Sequence, residues 1–148
     1  EAAIVDPGGD LERIEQALEL ANQCVDFKQF RNAVYEQRDV FFKPLICDSR
    51  ETVPLTLALF ALSKGDFEKA VTYGANFGRD SDTNACMVGG LTGALAGVDG
   101  IKSQWTAKIL AYGGGEEKIA EDLTRTAVKK ASSYEQEQGL FERLLGPS

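Results

Sequence analysis

Apolar residues recur three and four positions apart along most of this chain, which is the spacing of one face of an α-helix. The first such run predicts a helix over about 11–23 with Asp10 as its N-cap. The second predicts a helix over about 27–35, capped by Asp26. No stretch alternates apolar and polar residues for more than a few positions, so the pattern does not predict strands.

The same spacing predicts further helices downstream. The third begins near Ser49, and because it is apolar nearly all round it is expected to be central, with Pro54 in its first turn. The others are expected at about 67–76, at about 83–96, from Ser103 to the glycines at 113–115, and over about 116–145 as two helices broken near Gly139. The expected fold is all-α, a multi-helix orthogonal bundle that forms a single domain over residues 1–148.

Small residues recur every four positions in the helix predicted at about 83–96. Glycine costs about 1 kcal/mol at each interior helical position, so such a stripe indicates close packing of a second helix or contact with a ligand. The residues are Ala85, Gly89, Gly93 and Gly97.

The composition excludes several kinds of catalytic and metal site. The 148 residues carry a net charge of −7 and no histidine. The missing histidine excludes a Ser-His-Asp triad, a Cys-His dyad or a His-ligated zinc site within this sequence. The acidic balance argues against binding to a nucleic-acid backbone, and it supplies carboxylates for a cation.

Three cysteines without a CxxC pair favour a reducing, cytoplasmic location over a disulfide framework. The longest apolar stretch is too short to span a bilayer, so no membrane partner is expected.

The segment Gly78-Arg79-Asp80-Ser81-Asp82-Thr83-Asn84 contains the candidate site. The carboxylates of Asp80 and Asp82 and the hydroxyl of Thr83 lie at the junction of a loop and a helix. Oxygen atoms of this kind are the ligands that magnesium and calcium prefer. The sequence therefore predicts a divalent-cation site formed by Asp80, Asp82 and Thr83.

Plain helix capping is the competing interpretation, with Asp82 as N-cap and Asp80 in solvent. An EF-hand loop does not fit, because its sixth position is Ala85 and its twelfth is Leu91. The DxDxT nucleophile loop of phosphatases does not fit either, since the order here is DxDT after a helix.

The order and spacing of several motifs resemble the C-terminal part of the ADP-ribosylglycohydrolase family, which includes the enzyme that removes ADP-ribose from dinitrogenase reductase. The resemblance covers roughly residues 47–110. The motifs are Ser49-Arg50-Glu51-Thr52-Val53-Pro54, Ala58-Leu59-Phe60, Lys64-Gly65-Asp66-Phe67, Ala70-Val71, Gly78-Arg79-Asp80-Ser81-Asp82-Thr83 and Gly89-Gly90-Leu91-Thr92-Gly93-Ala94-Leu95-Ala96-Gly97.

The resemblance implies an all-α fold with a pair of magnesium ions in a cleft. Family members hydrolyse the glycosidic bond between ADP-ribose and a protein side chain or another acceptor. The partner would thus be an ADP-ribosylated protein or a small-molecule ADP-ribose conjugate. Carried over to this chain, Asp80, Asp82 and Thr83 supply one half of the metal ligands.

The sequence also departs from the family pattern. The other metal ligands of the family come from a Thr-Asp-Asp motif in the N-terminal half, and no Thr-Asp-Asp occurs here. Three interpretations follow: the chain is a fragment that lacks its N-terminal half, it works with a second chain, or it has lost activity. The alternative function is a non-catalytic binding or structural module on the same fold.

Two charged residues near the loop each have two interpretations. Glu51 either faces the cleft or interacts with the dipole of its own helix. Arg79 either contacts a phosphate of ADP-ribose or is solvated.

Overall fold

The computed structural model describes residues 9–112 and 116–145. This part of the chain is helical and contains no strand, which confirms the all-α prediction. The helices are α1 (Asp10–Gln23), α2 (Phe27–Glu36), α3 (Arg38–Phe41), α4 (Ser49–Ser63), α5 (Phe67–Phe77), α6 (Ser81–Ala96), α7 (Ser103–Ala111) and α8 (Glu116–Leu145), with a 3₁₀ turn at Val98–Gly100 between α6 and α7.

Side-chain caps begin α2 and α5 as the sequence predicts. Asp26 accepts a hydrogen bond from the backbone N–H of Gln29, and Asp66 accepts one from that of Lys69. Asp10 does not cap α1, because it lies inside the first turn, where Arg13 donates to its carboxylate. The N-cap position belongs to Gly9, whose φ of 67° is in the left-handed region.

Helix α4 lies at the centre of the packing, as its apolar character predicts, and it contacts α1, α5 and α6. Pro54 lies in its second turn rather than its first. It therefore removes one hydrogen bond from the helix interior. Helices α1 to α6 all contribute to one buried core, formed by Ala17, Ala21, Phe30, Val34, Phe41, Leu55, Ala58, Leu59, Ala70, Phe77 and Val88.

Helices α5 and α6 approach each other closely at Gly74. A Cβ at this position would lie 2.7 Å from the Cα atom of Ala85, so the two backbones are in direct contact. Further along, a Cβ at Gly89 would lie 3.2 Å from Val71, and one at Gly93 would lie 3.6 Å from Phe67. Ala85, Gly89 and Gly93 of the predicted stripe therefore pack against α5, whereas Gly97 ends α6 and has no atom within 4 Å of an added Cβ.

Backbone contacts divide the chain into two compact units, Glu1–Ser103 and Gln104–Ser148. The first contains α1 to α6, and the second contains α8. The predicted break near Gly139 is wrong, because α8 is one continuous helix through that residue. A single interior glycine costs about 1 kcal/mol, which a helix of this length tolerates. None of the helices in the described ranges is long and apolar enough to cross a membrane.

Candidate metal site at the start of helix α6

Asp80 is the N-cap residue of α6, yet its side chain does not cap the helix. Its backbone carbonyl accepts the hydrogen bond from the N–H of Asn84 that opens the helical ladder. The side chain is only 7% exposed, and Oδ2 is buried with no hydrogen-bond partner. Buried polar atoms are normally satisfied, so this carboxylate oxygen needs an explanation.

Asp82 and Thr83 lie in the first turn of α6, within three residues of Asp80. Asp82 is exposed and Thr83 is half-buried. The capping interpretation, with Asp82 as N-cap and Asp80 in solvent, is wrong in both parts. Helix α6 begins at Ser81, two residues earlier than predicted, and it is Asp80 that is buried.

The loop before Asp80 is anchored on one side by α2. Arg31 Nε donates to the carbonyl oxygen of Phe77 at 2.7 Å, and the hydroxyl of Tyr35 donates to the same oxygen at 3.3 Å. Gly78 follows with a φ of 94°, and a Cβ there would collide with the Tyr35 hydroxyl. Only glycine meets both the conformational and the steric requirement at this position.

Arg79 anchors the loop on its other side. Its Nε and Nη2 donate to the two carboxylate oxygens of Glu51 at 2.7 and 2.8 Å, and Nη2 also donates to the carbonyl of Lys43 at 2.6 Å. The hydrogen bonds to Glu51 raise the pKa of the guanidinium above its ordinary value. The Arg79 Cζ atom lies 4.6 Å from the centre of the Phe42 ring.

Glu51 is 1% exposed, and both of its carboxylate oxygens are occupied. Oε2 accepts a second hydrogen bond, from the backbone N–H of Lys43 at 2.7 Å. Glu51 and Arg79 are therefore bound to each other, and the interpretation of Arg79 as a solvated side chain is wrong. Glu51 also lies in the first turn of α4, where the helix dipole favours its charge as predicted. The pair links α4, the segment after α3 and the loop before Asp80.

One turn after Asp80, a second buried polar residue joins α6 to α4. Asn84 is 1% exposed, and its Oδ1 accepts a hydrogen bond from Thr56 Oγ1 at 3.4 Å. Asp80, Asn84, Val88 and Thr92 are all buried and recur every four residues. This stripe is a signal from which the burial of Asp80 was predictable, although three of its four members are polar and escape a search for apolar positions.

In the described ranges no three side chains of His, Cys, Asp or Glu lie close enough together to hold a metal ion. Asp80 and Asp82 lie two residues apart at the start of α6, the first buried and the second exposed.

The family model described as ADP-ribosylglycohydrolase matches residues 2–135. The chain belongs to the ADP-ribosylglycohydrolase family. The match extends well beyond residues 47–110, on which the sequence resemblance rests, and it includes α1, α2 and most of α8. Neither the curated proteins nor the solved structures contain a significant match to this chain.

Proposed function

We propose that this chain contributes one half of a magnesium site to an enzyme that hydrolyses the glycosidic bond of ADP-ribose conjugates. The observation that carries the proposal is the buried, unpartnered Oδ2 of Asp80. A cation at this oxygen would satisfy it, and family membership supplies the type of reaction.

The oxygen atoms in the first turn of α6 fit a magnesium ion chemically. Asp80 and Asp82 offer carboxylates and Thr83 offers a hydroxyl, and magnesium takes hard oxygen ligands. These three residues would hold the metal. When bound, magnesium would act as a Lewis acid that polarises ribose hydroxyls and activates a water.

The residues of this chain would hold some of the metal ligands in place but would not supply all of them. The anchored loop fixes the backbone on which Asp80 is carried, and the N-terminal end of α6 provides a positive dipole end that favours anionic groups such as the pyrophosphate of ADP-ribose. Asp82 remains accessible beside the buried Asp80.

The remaining ligands would come from a Thr-Asp-Asp motif outside this sequence, on an N-terminal half or on a second chain. Two ions are proposed for the complete site. The substrate is an ADP-ribosylated protein or a small-molecule ADP-ribose conjugate. The free cysteines Cys24, Cys47 and Cys86 fit a reducing, cytoplasmic location.

Calorimetric titration of the chain with magnesium tests the half-site. We expect weak binding that is lost in Asp80→Asn, because half of the ligands are absent and the buried carboxylate is the ligand that is removed. Tight binding of two ions would contradict the half-site. Equal binding by wild type and Asp80→Asn would favour the alternative, a non-catalytic module on the same fold.

A further inference from the structure

Several polar residues hold the backbone of residues 77–80 in place through hydrogen bonds. Phe77 is held through its carbonyl by Arg31 and Tyr35. Arg79 is held through its guanidinium by Glu51 and by the carbonyl of Lys43. Asp80, the next residue, receives no hydrogen bond at Oδ2.

The backbone of this segment is held in a conformation that an L-residue rarely adopts. Gly78 and Arg79 both have positive φ, 94° and 58°. For Arg79 this conformation carries strain, and it persists only where the surroundings enforce it. The surroundings here are the two hydrogen bonds to Glu51, the hydrogen bond to Lys43 and the stacking on Phe42.

We infer that Glu51 and Arg79 are positioning residues for the metal ligand Asp80: the ion pair between the buried Glu51 and the half-buried Arg79 enforces the left-handed backbone at Arg79 and thereby keeps the Asp80 carboxylate inside the protein, ready for a cation. The inference rests on the proposed function, because it assigns the buried carboxylate to a metal. Glu51 and Arg79 would act through Asp80 and would not contact the metal.

The geometry explains why the pair is built from Arg and Glu. The planar guanidinium binds both oxygens of one carboxylate and a carbonyl at the same time, which fixes its direction. A lysine has the charge but not this fork. The pair is also neutral overall, so it holds Asp80 in place without adding net charge beside the cation.

Because the pair is neutral, breaking it gives a test in which the change of charge and the loss of positioning have opposite effects on cation binding. Arg79→Gln removes a positive charge next to Asp80, so electrostatics alone would strengthen cation binding. Loss of positioning would weaken it. We expect Mn²⁺ binding, measured by the loss of the free-ion EPR signal, to weaken roughly 10- to 100-fold, the usual effect of removing a group that orients a metal ligand.

Two further variants keep the test valid if Arg79→Gln does not fold. The double variant Glu51→Gln/Arg79→Gln removes both charges of the pair together, and Arg79→Lys retains the positive charge. Both are expected to weaken Mn²⁺ binding as well. Circular dichroism verifies that each variant is folded at the temperature of the binding measurement.

Two controls separate positioning from other effects. Arg50→Gln removes an exposed positive charge that pairs with Asp48, and we expect Mn²⁺ binding to be unchanged or slightly stronger. Val34→Ala lowers stability through the core, and in its folded state it should bind Mn²⁺ as wild type does. Weaker binding in Val34→Ala of the same size as in Arg79→Gln would overturn the inference.

Asp80→Asn distinguishes the two levels of the proposal. If it abolishes Mn²⁺ binding while the folded Glu51 and Arg79 variants bind as tightly as wild type or more tightly, the inference fails and the proposed function stands. If wild type does not bind Mn²⁺ at millimolar concentration, or Asp80→Asn binds like wild type, the proposed function fails and the inference fails with it.

Discussion

Glu51 and Arg79, separated by 28 residues in sequence, form a bidentate ion pair in which Glu51 Oε1 lies 2.7 Å from Arg79 Nε. The glutamate belongs to the central helix α4 and the arginine to the loop that precedes α6. Their contact connects the core of the fold to the residue proposed to bind the metal.

Breaking this pair should be costly. We expect Glu51→Ala to lower the free energy of unfolding by about 1–3 kcal/mol, because the half-buried guanidinium of Arg79 loses its counter-charge and two hydrogen bonds. Glu68→Ala is the matched control, since it breaks an exposed pair with Lys102 and should cost only about 0–1 kcal/mol. Urea unfolding measures both, and equal losses would contradict a structural role for the buried pair.

The unpartnered oxygen of Asp80 should destabilise the metal-free wild-type protein relative to a variant without this carboxylate. Asp80→Ala removes a buried, unsatisfied group, and we expect a gain of about 1–3 kcal/mol in magnesium-free buffer. Asp82→Ala removes an exposed charge that favours the helix dipole, and it should cost about 0.3–1 kcal/mol. A loss of stability in Asp80→Ala, measured by urea unfolding with chelator present, would show that its carboxylate is satisfied within the protein.

The contact between α5 and α6 predicts that the same substitution, glycine to alanine, has opposite effects on stability at two positions. Gly74→Ala inserts a methyl group against the backbone of α6 and should cost about 1–3 kcal/mol. Gly90→Ala, on the open side of α6 with no atom within 4 Å, should gain up to about 1 kcal/mol from helix propensity. Thermal unfolding measures both changes in stability. A Gly74→Ala variant as stable as wild type would contradict the close approach of α5 and α6.

The cap of α5 makes stability depend on pH. The backbone hydrogen bond from Lys69 lowers the pKa of Asp66 below its ordinary value of 3.8. The charged cap therefore stabilises the fold above that pH, and the stabilisation is lost as pH falls through the lowered pKa. We expect the stability difference between wild type and Asp66→Asn, which caps without charge, to shrink below about pH 4. A difference that stays constant across this range would contradict the assignment.

Local features of the sequence predicted local structure well. The caps at Asp26 and Asp66 and the central place of α4 follow from residue types and spacing within single helices. The first turn of α6 was predicted less well, because Asp82 has the features of a cap. The helix instead begins at Ser81, where the carbonyl of Asp80 receives its first hydrogen bond.

The features that define the site depend on tertiary contacts. No local pattern relates Glu51 to Arg79, since their contact requires α4 and the loop before α6 to be packed together first. The identities of Asp80, Asp82 and Thr83 as candidate ligands came from residue type and family resemblance. That Asp80 is buried and Asp82 exposed came from the structure.

The most direct test of the account is the magnesium-dependent release of free ADP-ribose from an ADP-ribosylated substrate, with the polypeptide that supplies the Thr-Asp-Asp motif present. We expect Asp82→Ala to lower turnover at least about 100-fold, since the loss of a group that only orients a ligand can already cost that much. Asp66→Ala, which removes a helix cap elsewhere, should lower the melting temperature and leave turnover nearly unchanged. Near-normal turnover by Asp82→Ala at saturating magnesium would contradict the ligand assignment on which the account rests.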